Sequence, residues 1–189
     1  MIDNTNYRKI FWGFIFLFDF RIEGLDILPD IIGYILIVIG LGALLGRSDF
    51  YQKARNVAIP MIGLSIFDLY QQPMGSGFVY DSNPDVLTVL FGLAISALTI
   101  IMVYGICMGI REEADNQSLH DIAEKAVSRW KLYLVITIIT TVSLIIPIIL
   151  GFLFIPLFIL IIVSLVLIMS LLKQAERSIW DLNSYSVKL

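Results

Sequence analysis

The composition of the chain indicates a membrane protein. It has 189 residues, of which 58% are hydrophobic and 15% are charged, and its formal net charge is −3. Its mean hydropathy is +0.88. Soluble domains carry roughly 25% charged residues, so these proportions indicate a bilayer rather than a water-soluble core. A single cysteine (Cys107) and a single histidine (His120) exclude a disulfide framework and argue against a Cys/His metal cluster. No cofactor is expected. Nucleic-acid binding is not expected either, because the sequence offers no basic face.

The first predicted helix contains charged residues. Its uninterrupted apolar run covers only residues 10–18, too short to cross about 30 Å of hydrocarbon at about 1.5 Å per residue. To reach the far side, the helix must continue through Asp19, Arg21 and Glu23 to about Gly24. The first span is therefore predicted at 7–24, with its charges at interfacial depth.

Five more spans follow, and the whole chain, 1–189, is expected to form one transmembrane domain. Its fold class is all-α, with six helices arranged as three hairpins. Residues 131–172 carry one charge, at Lys131, and are long enough for two spans that bend near Pro147, Gly151 and Pro156. The predicted spans are 7–24, 29–45, 56–70, 85–110, 131–149 and 153–172, with a tail at 173–189.

A separate amphipathic helix is predicted at 118–130, between the fourth and fifth spans. Its apolar side chains fall on one helical face: Leu119, Ile122, Ala123, Ala126, Val127 and Trp130. This pattern is typical of a helix lying in the cytoplasmic headgroup region, with its tryptophan as an interfacial anchor. The alternative is a docking helix for a partner protein.

The orientation follows from the lysines and arginines. With both termini inside, the inner segments are 1–9, 47–55, 111–131 and 173–189. They hold 12 of the 13 basic residues, and only Arg21 lies outside. The positive-inside rule therefore predicts six spans with both termini in the cytoplasm.

Two glycine pairs match the small-xxx-small pattern, which lets membrane helices approach closely. They are Gly42 with Gly46 on the second helix, and Gly105 with Gly109 on the fourth. We interpret them as helix-packing sites, the alternative being glycines that a membrane helix merely tolerates.

The first hairpin also carries a family resemblance. The stretches Phe18-Asp-Phe-Arg-Ile, Gly24-Leu-Asp-Ile-Leu-Pro-Asp and Ile32-Gly-Tyr-Ile-Leu-Ile resemble a group of small multi-pass membrane proteins of Gram-positive bacteria. The resemblance covers residues 8–46. It implies a bacterial plasma membrane and no particular activity.

The charges near the first hairpin are the candidate ligand or ion site. They are Asp19, Arg21, Glu23 and Asp26, with Asp68 from the third helix. Charged side chains within membrane helices are costly, and they often mark ion or substrate paths. The alternative is a structural clasp that ties the first helix to its neighbours. No catalytic or metal-binding motif is present in the sequence, so an enzyme is not expected. Acid–base chemistry on a lipid through Asp19 and Glu23 stays open.

Two functional hypotheses result. The first is a small-solute or ion binding or transport component with a charged site at the outer rim. Its size and number of spans are similar to those of the substrate-binding membrane subunits of energy-coupling-factor vitamin transporters, a likeness of architecture without a shared motif. The second is a non-catalytic accessory or scaffold subunit that binds another membrane protein or forms a homo-oligomer.

Overall fold

The computed structural model describes residues 5–17, 21–22, 25–26, 30–68, 86–145 and 147–186. These residues confirm the all-α class, with one short strand pair in addition. The elements in chain order are α1 (Thr5–Phe16), β1 (Arg21–Ile22), β2 (Leu25–Asp26), α2 (Asp30–Ala43), α3 (Asp49–Asp68), α4 (Val86–Asn116), α5 (His120–Ile145) and α6 (Pro147–Ser186).

The six helices form a closed antiparallel bundle. Each helix packs against the next in the chain, and α1 also packs against α6. The short connections at 44–48 and 117–119 make the helices that they join antiparallel neighbours. We call the end with the start of α1 and the connections at 44–48 and 117–119 the turn end. The opposite end, which carries the β1–β2 pair, is the hairpin end.

Both connections at the turn end are closed by local hydrogen bonds. In the first, the backbone N–H of Phe50 donates to the Ser48 hydroxyl at 3.1 Å, so Ser48 is the N-cap of α3. In the second, the N–H of Leu119 donates to the carbonyl of Ala114 at 2.8 Å, and Ser118 has a left-handed φ of 59°. This pattern is a Schellman motif, which ends α4 and turns the chain into α5.

On α4 and α6 the buried positions are concentrated toward the turn end, whereas on α1, α2 and α3 they are spread along the helix. On α4, nearly every residue from Met102 to Ile110 is buried, whereas none of the described residues from Leu90 to Ile101 is. Leu90 to Ala94 are exposed at five consecutive positions, which is more than one helical turn. Every face of that part of α4 is therefore uncovered. On α6, the buried positions likewise gather at Ile168, Leu171, Leu172 and Ala175.

Two helices are long and apolar enough to cross a membrane by length and composition. They are Leu90–Asn116 and Ile155–Ser178, and only 28% of the most apolar part of each is buried. The central helix of a soluble protein would be mostly buried. The outward faces also carry large exposed apolar side chains such as Ile155, Ile66 and Leu90. Such a surface is typical of contact with lipid or another apolar partner.

The prediction that the first helix continues to Gly24 is wrong. The helix ends at Phe16, and the chain then forms an antiparallel pair in which Arg21 faces Asp26 and Ile22 faces Leu25 along the backbone. Arg21 and Asp26 therefore belong to a short antiparallel strand pair that follows the apolar run, and not to a helix. The length needed to cross a bilayer, on which the prediction was based, therefore does not set where α1 ends.

The boundaries of the last two helices also differ from the prediction. The segment 118–130 is not a separate helix, because α5 runs without interruption from His120 to Ile145, and no helix-breaking residue separates the two predicted pieces. The bend before α6 lies at Pro147, where proline suits the first helical position, and Pro156 lies inside α6. The predicted tail continues α6 to Ser186.

Candidate functional site: a buried carboxylate at the turn end

A buried glutamate occupies the core-facing side of α4 near its C-terminal end. Residues 102, 106 and 110 lie on that face and are fully shielded, and the helical repeat carries the same face to Glu113. The Glu113 side chain is only 8% exposed. A carboxylate in this position needs charge-assisted partners, because an unpaired buried charge is strongly unfavourable.

Three side chains from other segments supply those partners. The Tyr7 hydroxyl on α1 donates to Glu113 Oε2 at 2.5 Å, and the Tyr51 hydroxyl on α3 lies 3.1 Å from the same oxygen. Arg47, in the connection between α2 and α3, donates Nη1 to Glu113 Oε1 at 2.7 Å. We call Tyr7, Arg47, Tyr51 and Glu113 the Glu113 cluster. It joins α1, α3, α4 and the α2–α3 connection at one point.

The two tyrosines also contact each other. Their hydroxyl oxygens are 2.8 Å apart, so the two phenols and Glu113 Oε2 form a triangle of oxygens. With Glu113 ionised, the triangle has two phenolic protons to donate across its three oxygen–oxygen contacts. Tyr51 lies before the apolar part of α3. Burial raises its pKa well above the ordinary value, and the nearby Tyr7 and Glu113 raise it further. Tyr51 therefore stays a neutral donor at physiological pH.

A second bond runs parallel to the cluster. Ser48, the N-cap of α3, donates its hydroxyl to Glu112 Oε2 at 2.5 Å. Arg47 and Ser48 are thus tied to consecutive glutamates at the end of α4. The α2–α3 connection is fastened at two adjacent points.

The Glu113 cluster is chemically complete. Both carboxylate oxygens accept hydrogen bonds, both phenols have partners, and the charge of Arg47 balances that of Glu113. No group of three or more His, Cys, Asp or Glu side chains suited to a metal ion occurs among the described residues. The arrangement is that of an interhelical clamp whose polar atoms are already occupied.

The charged residues predicted as a ligand or ion site fall mostly outside this description. Arg21 and Asp26 face each other as backbone partners in the β1–β2 pair. Asp68 is the last residue of α3, and its side chain is outside the described part of the structure. Asp19 and Glu23 lie outside the described residues.

The predicted packing glycines divide into two groups. A Cβ atom on Gly105 would lie 2.8 Å from the Phe50 carbonyl oxygen, and one on Gly109 would overlap the Tyr51 ring. Both residues therefore lie where α4 crosses α3 at close range. Gly42 and Gly46 do not form such a contact. Gly42 has only Arg55 Nε nearby, at 3.5 Å, and Gly46 lies after the end of α2 with φ +87° and no atom within 4 Å.

Other glycines that the sequence analysis did not single out make the closest contact between α1 and α2. A Cβ on Gly13 would lie 2.7 Å from the Gly33 carbonyl oxygen, and one on Gly33 would lie 2.8 Å from the Gly13 carbonyl oxygen. Gly40 is in similar contact with α1, because an added Cβ would lie 2.8 Å from the Asn6 carbonyl oxygen. These glycines lack a four-residue spacing, so the small-xxx-small pattern does not identify them.

The apolar face predicted at 118–130 is covered by the bundle itself. Ile122, Ala123 and Ala126 are buried, and Leu119, Val127 and Trp130 pack against the same core. The face is therefore available neither to the membrane surface nor to a docking partner. Both alternatives proposed for this segment lose their physical basis.

The Glu113 cluster was not predicted from the sequence, because the fourth span was predicted to end at residue 110 and Glu113 fell in the inner segment 111–131. The signal that could have identified it is periodicity: Glu113 follows Ile106 by seven residues and Ile110 by three, which places it on the apolar face of α4. The partners lie 62 to 106 residues away in the chain. Only the packing of the helices brings them together.

The comparisons with known proteins identify no relative. No family model, no curated protein and no solved structure matches the chain.

Proposed function

We propose that this chain is a multi-pass membrane protein with six helices in the membrane and both termini on the cytoplasmic side of a bacterial plasma membrane. Two of these helices, α1 and α2, have only 12 and 14 residues, so neither crosses the whole hydrocarbon core as helix alone. The two long apolar helices, with 28% of their most apolar parts buried, support this placement. Antiparallel packing brings the basic segments near residues 8–9, 47–55, 111–131 and 173–177 to the turn end. That distribution agrees with a cytoplasmic turn end. The hairpin end is then the outer end.

Within this placement, the chain acts as a small-solute or ion binding or transport component, with its site at the hairpin end. One contrast carries this proposal. At the turn end the Glu113 cluster has no unoccupied polar group of its own, whereas α4 lacks buried residues from Leu90 to Ile101 at the other end. In the sequence, Asp19, Arg21, Glu23 and Asp26 lie between α1 and α2, and Asp68 is the last residue of α3. A ligand could enter there without breaking the clamp.

The test compares binding with stability. Native mass spectrometry of the gently extracted chain should reveal a small adduct that Asp19→Asn or Arg21→Gln removes. If the charges bind a ligand, both variants should keep the thermal stability of the wild type in detergent. If both variants unfold at a much lower temperature and no adduct is seen in the wild type, the charges are a clasp and the proposal fails.

The second candidate is a non-catalytic accessory subunit of a membrane complex. It is favoured by the exposure of Leu90 to Ala94 on every face of α4, since a partner helix would cover such a surface. In the same mass spectra, this candidate predicts a second polypeptide, or a second copy of the chain, at fixed stoichiometry. Gly92 is exposed with no neighbouring atom within 4 Å, so Gly92→Leu should detach that partner and leave the monomer folded. Retention of the partner by the Gly92→Leu variant would contradict this interface.

A further inference from the structure

The outward side of α5 carries a lysine at the edge of its apolar stretch. Lys131 is exposed, and Val135, Ile138 and Val142 follow it by four, seven and eleven residues. At these spacings the four side chains share one helical face. The three apolar side chains are 52%, 49% and 46% exposed. The face therefore presents an apolar stripe to its surroundings, with a positive charge toward the turn end.

The neighbouring helix α6 repeats this arrangement. Its outward stripe includes Ile155 and Val166, which are 69% and 56% exposed. Lys173 follows them by eighteen and seven residues, so it lies on the same face, and it is exposed. Lys125 of α5 donates to Gln174 of α6 at 3.5 Å, which places this part of α6 at the turn end.

The other neighbour of α6 is α1, and it has the same order of apolar and basic side chains. Arg8 is exposed and precedes Trp12 by four residues, about one helical turn. The Trp12 side chain is 49% exposed. Because α1 begins at the turn end, the arginine lies on the turn-end side of the tryptophan. Three adjacent helices therefore end their exposed apolar faces with a cation, and we call Arg8, Lys131 and Lys173 the basic edge.

The basic edge has no ionic partner among the described residues. None of its three side chains forms an ion pair there, whereas Arg47, Arg111 and Lys125 each bind a carboxylate. The described glutamates of α5 and α6, Glu124 and Glu176, lie beyond the basic edge, farther from the apolar stretches. The exposed apolar surface is thus bordered by positive charge that the described residues do not neutralise.

The apolar stripes and the basic edge together match one class of partner. Apolar side chains exposed in line with a cation fit a molecule that has apolar chains and an anionic head, as an anionic phospholipid does. Lysine and arginine reach such headgroups from membrane helices because their aliphatic stems lie along the apolar surface. In the proposed membrane placement, on which this inference rests, the basic edge is on the cytoplasmic side, where anionic lipids attract basic residues. An acidic protein would match the charges but not the apolar stripes beside them.

We propose that the exposed faces of α1, α5 and α6 bind anionic phospholipids, with the acyl chains along the apolar stripes and the anionic headgroups at the basic edge. Each cation contacts a headgroup at the protein surface, so the interaction requires no enclosed pocket. The surface is separate from the Glu113 cluster, whose arginine is already paired.

The test is competition between two lipids for the full chain in mild detergent. Anionic phosphatidylglycerol and zwitterionic phosphatidylcholine with the same acyl chains are added in equal amounts to the delipidated protein, and native mass spectrometry counts the bound molecules of each. The wild type should prefer phosphatidylglycerol. Lys131→Gln and Lys173→Gln should each lower that preference about fivefold at one site, the factor that corresponds to ~1 kcal/mol per basic residue near an anionic surface. The matched control Lys125→Gln removes the same charge from a lysine already bound to Asp121, and it should keep the wild-type preference.

Two double variants separate charge from structure. Replacing Lys131 and Lys173 together with arginine keeps both charges and should keep the preference, whereas replacing both with glutamine should remove it at both sites. Because both lysines are exposed, all these variants should unfold at the wild-type temperature. An equal preference for phosphatidylglycerol in the wild type and in the double glutamine variant would overturn the proposal.

Two further arms identify the source of a failure. A second polypeptide that the gently extracted wild type carries and the double glutamine variant loses would assign the basic edge to an acidic protein and overturn the lipid proposal. Extraction of cell membranes with alkaline carbonate tests the membrane placement itself. Release of the chain into the aqueous phase would overturn that placement, whereas retention together with equal lipid preference in all variants would overturn only the lipid-binding surface.

Discussion

Glu113 shows how a single carboxylate can hold several helices together. Its two oxygens accept hydrogen bonds from three different segments, so the cost of burying one charge is offset by one arginine and two phenols. Replacing either tyrosine with phenylalanine would remove a donor and keep the ring. Each such substitution removes both contacts of one hydroxyl, the one with Glu113 and the one with the other tyrosine.

Glu113→Gln should destabilise the folded chain by about 1–3 kcal/mol, because it removes the charge that balances Arg47 and weakens both phenolic bonds. This loss of stability is expected to be smaller than that from breaking a fully buried ion pair, because a quarter of the Arg47 side chain is exposed. Thermal unfolding in mild detergent measures the effect. The matched control is Glu112→Gln, which makes the same change at the exposed neighbour. Equal losses in the two variants would contradict a special role for Glu113.

Tyr51 should make the protein sensitive to alkaline pH. Its folded-state pKa is raised, so the folded state keeps the phenolic proton after the unfolded chain has released it. Stability from this group is thus complete below about pH 10 and is lost as pH rises above that value, by at most ~1.4 kcal/mol per pH unit. Tyr51→Phe should show a shallower loss between pH 10 and 11 than the wild type in alkaline unfolding curves. Tyr104→Phe, at a 38% exposed position, is the control, and identical slopes for all three proteins would refute the assignment.

At the scale of elements, glycines determine which helices approach most closely. Gly13 and Gly33 bring α1 and α2 into backbone contact, and Gly105 and Gly109 do the same for α3 and α4. In an apolar environment such close contact is a main source of helix association, because burying apolar surface gains little there. At Gly63 and Gly92 an added Cβ would meet no atom within 4 Å, so these two glycines serve no such purpose.

Gly109→Ala should destabilise the bundle by about 1–3 kcal/mol, since the added methyl group overlaps the Tyr51 ring and forces α4 away from α3. The shift also disturbs the Tyr51 contact with Glu113. Gly92→Ala, on the same helix in open space, should be neutral or slightly stabilising, by up to about 1 kcal/mol from helix propensity. Thermal unfolding of the Gly109→Ala and Gly92→Ala variants in detergent measures both effects. If Gly109→Ala is as stable as Gly92→Ala, the two helices are not in close contact.

At the scale of the whole molecule, the two ends of the bundle differ in packing and in charge. The turn end carries most of the basic residues and the Glu113 cluster, whereas at the hairpin end the first described turns of α4 are exposed. A membrane protein with its turn end in the cytoplasm would have this asymmetry. The Glu113 cluster would then lie on the cytoplasmic side and the exposed part of α4 on the outer side.

Labelling of single cysteines tests this orientation. Asn116→Cys places a thiol at the exposed end of α4, and Ser82→Cys places one in the segment 71–85 predicted to be outside. A membrane-impermeant maleimide should label the Ser82→Cys variant in intact cells, and the Asn116→Cys variant only after the membrane is permeabilised. The native Cys107 is buried, so the unmodified chain is the unlabelled control. The reverse pattern would invert the proposed topology.

Much of the fold followed from local sequence, and much of the site did not. The start of α2 near Pro29, the long apolar α4 and the division of residues 131–172 into two helices all follow from hydropathy and proline positions. The end of α1 at Phe16 does not, because the length needed to cross a bilayer outweighed, in the prediction, the charges that follow the apolar run. The continuity of α5 was missed for a similar reason: polarity changes along that helix without any residue that would break it.

The order of residues by itself determined the helical class and the gathering of basic residues into alternate connections, because hydropathy and charge act over distances of a few residues. Only the tertiary structure decided what those helices do to one another. Glu113 is buried rather than solvated because Tyr7, Arg47 and Tyr51 converge on it from remote segments. The face at Ile122 and Ala126 is core rather than a docking surface because the other helices of the bundle cover it. Whether a side chain is paired or free depends on partners that are distant in the chain, and local patterns carry no record of them.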